Sequence, residues 1–296
     1  MRITPIFFLA LVGALGCDSS GSVTSSSSAT GGLPQRTEPL AERMPKASGS
    51  CPTLEDGYVT FAPEGVAPRR VRLWLDPQVT TPGPLVFYWH GMGSEPEEAP
   101  YGLGKDGLDA LLAKGGILAA PEHDPAAGQF PWFLTLGAGR DDDLRVADEV
   151  LACIDAVRGV DKRRIHSLGF SAGALQTTQL SYRRSGYIAS VVTYSGGKIG
   201  YPDDQDPSNP FAAMIFHGGP KDVVITKFAQ ISEAYHEDLK STGRFSFVCD
   251  HGLGHKVPMD ARPAVARFFE DHPFGTAPSP YAKGLPEGTP AYCSLD

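Results

Sequence analysis

A serine in this chain has the sequence setting of a catalytic nucleophile. Ser171 lies in Gly169-Phe170-Ser171-Ala172-Gly173, between an apolar run and a helical pattern. The two glycines permit a sharp turn that holds the hydroxyl clear of the backbone, and the helix that follows points its first amides at incoming negative charge. This setting predicts that Ser171 attacks a carbonyl carbon.

Two side chains that would activate this serine follow later apolar runs. Asp222 closes the turn His217-Gly218-Gly219-Pro220-Lys221-Asp222, and an acid there would accept the imidazole N–H and fix its tautomer. A capping or turn role for Asp222 is the alternative. The final apolar run opens into a glycine-rich loop that holds His251 and His255. We expect His255 to be the base because the glycines before it let the loop return over the serine; His251 is the alternative.

A tetrahedral oxyanion needs two preorganised N–H donors. His90-Gly91-Met92-Gly93 follows an apolar run, and the amides of Met92 and Ala172 are the predicted donors. We interpret His90 as a buried histidine that supports this loop. Trp132, in an aromatic-rich loop, is a candidate for lining the acyl pocket, with core packing as the alternative.

Other candidate sites have weaker patterns. Ser195 is a rival nucleophile, but its turn lacks the glycine two places earlier. A zinc site at His251 and His255 lacks the glutamate of the H-E-x-x-H motif, and the intervening glycines oppose a helix. The acidic triplet at 141–143 is typical of a helix N-terminus rather than of a metal site. We therefore predict neither metal nor cofactor.

Short apolar runs alternate with helical patterns from residue 51 onward, which predicts the α/β class with a mostly parallel sheet of about eight strands and helices on both faces. Residues 51–296 are long enough for one catalytic domain. The first two runs are expected to be antiparallel edge strands. The expected strands are 58–61, 71–75, 85–89, 117–120, 164–170, 190–194, 212–216 and 245–249, and the expected helices are 108–114, 144–158, 172–184, 227–240 and 261–271.

The first residues have the pattern of an export signal. A positive charge at Arg2, an apolar run too short to span a bilayer and a small residue before Cys17 predict a signal peptide over 1–16. The segment resembles a bacterial lipoprotein signal, which implies lipidation of Cys17 and a membrane-attached periplasmic or cell-surface protein. An ordinary cleaved signal and a secreted protein are the alternative. Residues 17–50, rich in Ser, Thr, Gly and Pro, are interpreted as a flexible tether.

Charge and cysteine content restrict the partners and the compartment. The net charge is −8, with 26 basic and 34 acidic residues and no basic run, so nucleic acid is excluded as an expected partner. Apart from Cys17, four cysteines remain at 51, 153, 249 and 293, an even number that suits two disulfides in an oxidising compartment. Three pairings are open, with Cys249–Cys293 favoured, and a free thiol at Cys153 is the alternative.

From about Cys51 to Asp271 the chain resembles the secreted polyhydroxybutyrate depolymerase and feruloyl esterase branch of the α/β hydrolases. The segments that carry the resemblance are 89–93, 169–173, 218–222 and 254–258, with the aromatic loop around Trp132. The resemblance implies hydrolysis of small or polymeric esters through an acyl-enzyme, without a cofactor. It departs at 92–94, which leaves the substrate open. A serine peptidase of the same fold and a non-catalytic surface binding protein are the alternatives.

Overall fold

The computed structural model describes residues 39–133, 140–200 and 202–295, which belong to one compact unit. The expectations for the signal peptide, for Cys17 and for most of the tether lie outside these residues. Within the described ranges, no helix is both long and apolar enough to cross a bilayer.

Nine strands form one sheet in the described part of the chain, in the order β1-β2-β4-β3-β5-β6-β7-β8-β9. Strands β3 to β8 run parallel to one another, whereas β1, β2 and β9 join the sheet antiparallel. The carboxyl ends of the parallel strands therefore meet at one edge. The strands are β1 (Gly57–Phe61), β2 (Arg69–Trp74), β3 (Leu85–Trp89), β4 (Ile117–Pro121), β5 (Ile165–Phe170), β6 (Ser190–Tyr194), β7 (Ala212–His217), β8 (Ser246–Asp250) and β9 (Cys293–Ser294).

Helices cover both faces of the sheet, so the central strands are buried and mostly apolar. On β3, Phe87 and Trp89 face one core and Val86 and Tyr88 face the other, and β3 is buried along its whole length. The first core packs against α3, α4 and α5, and the second against α1, α2 and α6. The helices are α1 (Ala99–Leu103), α2 (Lys105–Ala113), α3 (Asp142–Val157), α4 (Ala172–Arg183), α5 (Phe228–Ser241) and α6 (Arg262–Asp271).

The expected fold class is confirmed: the eight expected strands and five expected helices are present within a few residues of their expected bounds. Two short elements, α1 and β9, were not expected. The opening strands are antiparallel as predicted, but only β1 is an edge, because β2 also pairs with β4.

Two disulfides link the terminal segments to the domain. Cys249 is bonded to Cys293, as favoured from sequence, and Cys51 to Cys153, so the free-thiol alternative for Cys153 is wrong. The tether expected over 17–50 is not free at its end. Ser48 and Gly49 donate their amides to the Glu149 carboxylate at 2.7 and 2.8 Å. The folded unit thus includes residues before Cys51, since these polar residues find buried partners that composition does not reveal.

Candidate active site

Ser171, His255 and Asp222 form an unbroken chain of hydrogen bonds at the carboxyl edge of the sheet. The Ser171 hydroxyl lies 2.9 Å from Nε2 of His255, and Nδ1 of His255 lies 2.7 Å from Oδ1 of Asp222. Ser171 follows β5, Asp222 follows β7 by a short 3₁₀ turn, and His255 lies in the loop after β8. Three residues distant in sequence thus meet with the geometry of a nucleophile, a base and an orienting acid.

The turn at Ser171 is strained and very tight. Ser171 has φ 56° and ψ −121°, a backbone conformation that residues other than glycine rarely adopt. Its amide donates to the Tyr194 carbonyl at 2.9 Å, which fixes the turn to β6. A Cβ on Gly173 would lie 1.8 Å from the Trp89 carbonyl oxygen, so only glycine permits α4 to begin so close to β3. The sequence pattern and the local backbone agree here.

Every oxygen of the Asp222 carboxylate has a donor. Oδ1 accepts from His255, while Oδ2 accepts from the Gly218 amide at 2.9 Å and from the Ser195 hydroxyl at 2.8 Å. The side chain is fully buried, and burial alone would raise its pKa. These three hydrogen bonds outweigh burial and lower the pKa of Asp222 below its usual value. The acid is therefore ionised when the base must be oriented.

Two phenylalanine rings pack against the imidazole of His255. The ring centroids of Phe170 and of Phe228, the first residue of α5, each lie 4.8 Å from the centroid of the imidazole. The His255 side chain keeps 21% of its surface exposed, so it is held but still reachable from solvent.

His251, the alternative base, does not reach the serine. Its Nδ1 accepts from the Leu253 amide at 3.2 Å, and burial lowers its pKa. Backbone bonds tie its loop to the acid turn, because the His251 amide donates to the His217 carbonyl and the Gly254 amide donates to the Gly218 carbonyl, both at 3.0 Å. The loops that carry base and acid are therefore joined along their backbones.

The predicted oxyanion loop passes beside the nucleophile. A Cβ on Gly91 would lie 3.5 Å from the Ser171 Cβ, which brings the next residue, Met92, to the site. The amides of Met92 and Ala172 donate to no acceptor within the described residues, and Ala172 begins α4, where such amides are free. Both amides are thus available to an oxyanion.

Three side chains hold this loop from behind. The Gly91 amide donates to Oε1 of Glu98 at 3.2 Å, and the Tyr88 hydroxyl donates to the same oxygen at 2.7 Å. His90 is buried, and its Nδ1–H donates to the Gly91 carbonyl at 2.8 Å. Burial lowers the pKa of His90, so it stays neutral. This arrangement agrees with the supporting role inferred for His90.

Trp132 lies behind the loop, not in an open pocket. Its side chain is 1% exposed, packs edge-on against Trp89 at 4.9 Å and donates from Nε1 to the His90 carbonyl at 3.0 Å. The expected substrate contact is therefore not supported by the described residues. A buried tryptophan with a satisfied N–H stabilises the backbone that precedes Met92.

The acidic triplet at the start of α3 anchors the segment that carries Trp132. Asp143 is buried, accepts from Arg69 at 2.9 Å and accepts from the Phe133 amide at 2.8 Å. Burial raises the pKa of Asp143, although Arg69 and the Phe133 amide oppose that shift. As predicted, the triplet lies at a helix N-terminus, with Asp141 at the N-cap of α3 and the other two acids in its first turn, although Asp141 makes no side-chain capping bond.

Comparison with solved structures identifies the architecture. The native structure of a protein named pOPH aligns with a TM-score of 0.67 at 17% identity, over 83% of this chain and 96% of that chain. A ferulic acid esterase aligns with a TM-score of 0.55 at 17% identity, over 71% of this chain and 94% of that one. A carboxylesterase of Bacillus cereus aligns with a TM-score of 0.53 at 13% identity, over 68% and 93%. The chain has the α/β-hydrolase fold.

Sequence comparison adds nothing to that assignment. No family model matches this chain. No curated protein matches it either. At these identities the structural likeness establishes the fold, so the chemistry has to be argued from the site itself.

No group of three metal-ligating side chains occurs in the described part of the chain. A cavity of about 440 Å³ lies at the opposite edge of the sheet, between α2 and α6, with Val86, Arg164 and His166 in its wall. Residues 82–84 also line it, ahead of β3, whereas the triad follows the strands. This cavity is therefore not where Ser171 would meet a substrate.

Sequence patterns did not indicate the supporting roles of three side chains at the site: Glu98, Phe228 and Ser195. Glu98 and Phe228 reach it from helical segments whose direction depends on tertiary packing. Ser195 had a usable signal, because it directly follows a buried strand, but only the strand order shows that β6 lies between the strands of the nucleophile and the acid.

Proposed function

We propose that this protein is an exported serine esterase that hydrolyses carboxylic esters through an acyl-enzyme. The observation that carries the proposal is the continuous relay from Ser171 through His255 to Asp222. A relay of this kind activates a hydroxyl that is otherwise a weak nucleophile. The names of two structural neighbours, a ferulic acid esterase and a carboxylesterase, favour esters over other acyl compounds.

The mechanism follows from the positions of these groups. The Ser171 oxygen attacks the ester carbonyl while Nε2 of His255 takes the hydroxyl proton. The amides of Met92 and Ala172 stabilise the tetrahedral oxyanion, and losing one such donor costs about 3 kcal/mol of transition-state stabilisation. His255 then gives its proton to the leaving alcohol. Water, activated by the same imidazole, hydrolyses the acyl-serine and restores the free enzyme.

Labelling with a fluorophosphonate tests the nucleophile. Wild-type protein should be labelled at Ser171 and should hydrolyse short nitrophenyl esters, and Ser171→Ala should abolish both. Activity should fall at acid pH, because a protonated imidazole cannot accept the serine proton. Faster cleavage of peptide anilides than of esters would indicate a peptidase instead. An unlabelled wild type would indicate the non-catalytic binding protein.

The substrate class follows from the same proposal. We expect small or polymeric esters, including polyester and feruloyl types, as the resemblance implies. A panel of aryl, short-chain and polymeric esters would rank them by kcat/KM. If none of them is hydrolysed by an enzyme that fluorophosphonate labels, the acyl group lies outside these classes.

The proposed location is a membrane surface reached by lipidation of Cys17. Two disulfides suit an oxidising compartment. Lipidated wild type should partition into a detergent phase, whereas Cys17→Ala should remain in the aqueous phase. A mature wild type that is water-soluble would support the secreted alternative.

A further inference from the structure

Ser195 is a buried serine outside the relay, and it contacts the relay directly. It follows β6, which lies in the sheet between β5 of the nucleophile and β7 of the acid. Its amide donates to the Phe216 carbonyl at 2.9 Å, and its hydroxyl lies 2.8 Å from Oδ2 of Asp222. Since an ionised carboxylate only accepts, the hydroxyl is the donor.

The backbone at this position is strained. In the described ranges, Ser171 and Ser195 are the two non-glycine residues with positive φ, at 56° and 51°. Such strain persists only where the surroundings fix it, and it concentrates at functional sites. Glycine would adopt this conformation without strain. Serine at this position therefore carries a conformational cost that glycine would avoid, and its hydroxyl supplies a hydrogen bond to Asp222 that glycine would lack.

We propose that Ser195 is a positioning residue, whose hydroxyl holds the Asp222 carboxylate so that Oδ1 faces Nδ1 of His255. The inference rests on the proposed function. Without this donor, Oδ2 keeps only the Gly218 amide, and the carboxylate can rotate away from the imidazole.

Loss of the hydroxyl should therefore have two effects, one on the rate and one on its pH dependence. The plateau of kcat/KM should fall about tenfold, the order expected for one hydrogen bond to a charged group. The acid limb of the pH profile should move down by about half a pH unit, since a carboxylate that has rotated away stabilises the imidazolium less. The other titratable groups near Asp222 and His255 are unchanged in the variant: His217, Lys221, Lys227, Glu233, Asp250, His251 and Lys256.

The informative variants are Ser195→Gly and Ser195→Ala. Both remove the hydroxyl, but glycine relieves the strain whereas alanine keeps it. The two variants should differ in melting temperature and still share the fall in kcat/KM and the shifted acid limb. The matched control is Ser232→Ala, because the buried Ser232 hydroxyl donates to the Gly196 carbonyl at 2.9 Å, in the same turn, without contacting Asp222. The control should keep the wild-type pH profile.

A double-mutant cycle with Asp222→Ala separates positioning from a general structural effect. Ser195→Gly should cost activity in the wild-type background and nothing further once Asp222 is gone. An unshifted acid limb, or an equal loss in the Asp222→Ala background, would overturn the proposal. An NMR titration of the His255 ring gives the same shift without turnover. An inactive wild type would thus refute the esterase while this inference is still tested.

Discussion

Four side chains contact the base. Ser171 and Asp222 bond its two ring nitrogens, and Phe170 and Phe228 pack against its ring. Hydrogen bonds alone allow an imidazole to rock about the axis that joins its nitrogens. The two aromatic rings remove that freedom, so the geometry needed for proton transfer exists before substrate binds.

Replacement of Phe228 by leucine should loosen this clamp. Stacked aromatic contacts are worth about 1 kcal/mol beyond their buried area, so Phe228→Leu should lower kcat/KM several-fold with little change in KM. Phe211→Leu is the matched control, because Phe211 is equally buried but packs against Tyr182 and Arg244. Both variants should lower the melting temperature. Equal loss of activity in the two would mean that the effect is one of stability alone.

At the level of elements, strand β9 connects the C-terminal segment to the loop of the base. It pairs with β8 through Val248 and Cys249, and the Asp250 amide donates to the Tyr292 carbonyl at 3.0 Å. The Cys249–Cys293 bond fixes this pairing just ahead of the loop that holds His255. The Cys51–Cys153 bond instead fixes the start of the domain to α3.

Removal of the Cys51–Cys153 bond should therefore cost more stability, whereas removal of the Cys249–Cys293 bond should cost more activity. The two bonds span 102 and 44 residues, for which chain entropy predicts losses of about 4.7 and about 4 kcal/mol. The Cys51→Ala/Cys153→Ala protein should melt lower. The Cys249→Ala/Cys293→Ala protein should lose more kcat/KM at a temperature where both are folded. If activity simply follows melting temperature, β9 has no special influence on the base.

The elements that sequence predicted well are those with strong local patterns. Strands β3 to β8 are continuous apolar runs, and the turn at Ser171 is signalled by its glycines. Missed features depend on contacts between distant segments. Strand β9 is two residues long and forms only because Cys293 meets β8, and the Ser48 contact with Glu149 spans 101 residues. Likewise, the sequence shows an aromatic residue at Trp132, but only tertiary packing decides that its ring contacts Trp89.

At the scale of the whole molecule, stability should depend on histidines that are buried without charge. His166 is fully buried, stacks on Phe269 at 4.7 Å and has Nδ1 2.9 Å from the Ser190 hydroxyl. Burial lowers the pKa of His166 to about 3, and burial also lowers the pKa of His272 to about 4. Between those values and about 6.5, the unfolded chain takes up protons that the folded protein cannot.

Acidification should therefore destabilise the protein before its carboxylates titrate. Since the folded pKa lies below the unfolded one, this contribution is present above about pH 6.5 and decreases as the pH falls towards 3. From pH 7 to pH 5, wild type should lose about 2 kcal/mol more unfolding free energy than His166→Gln. Ser190→Ala keeps the histidine and should keep the steep slope. Equal slopes in urea titrations of wild type and His166→Gln would contradict this account.

The joined backbones of the acid turn and the base loop limit how this site can be redesigned. A methyl group on Gly218 would lie 1.9 Å from the Gly254 carbonyl oxygen, so Gly218 cannot gain a side chain unless the two segments move apart. Grafting a foreign acid turn alone would displace the imidazole as well. Loop libraries that aim at new specificity should therefore exchange the two segments as one cassette, with both glycines retained.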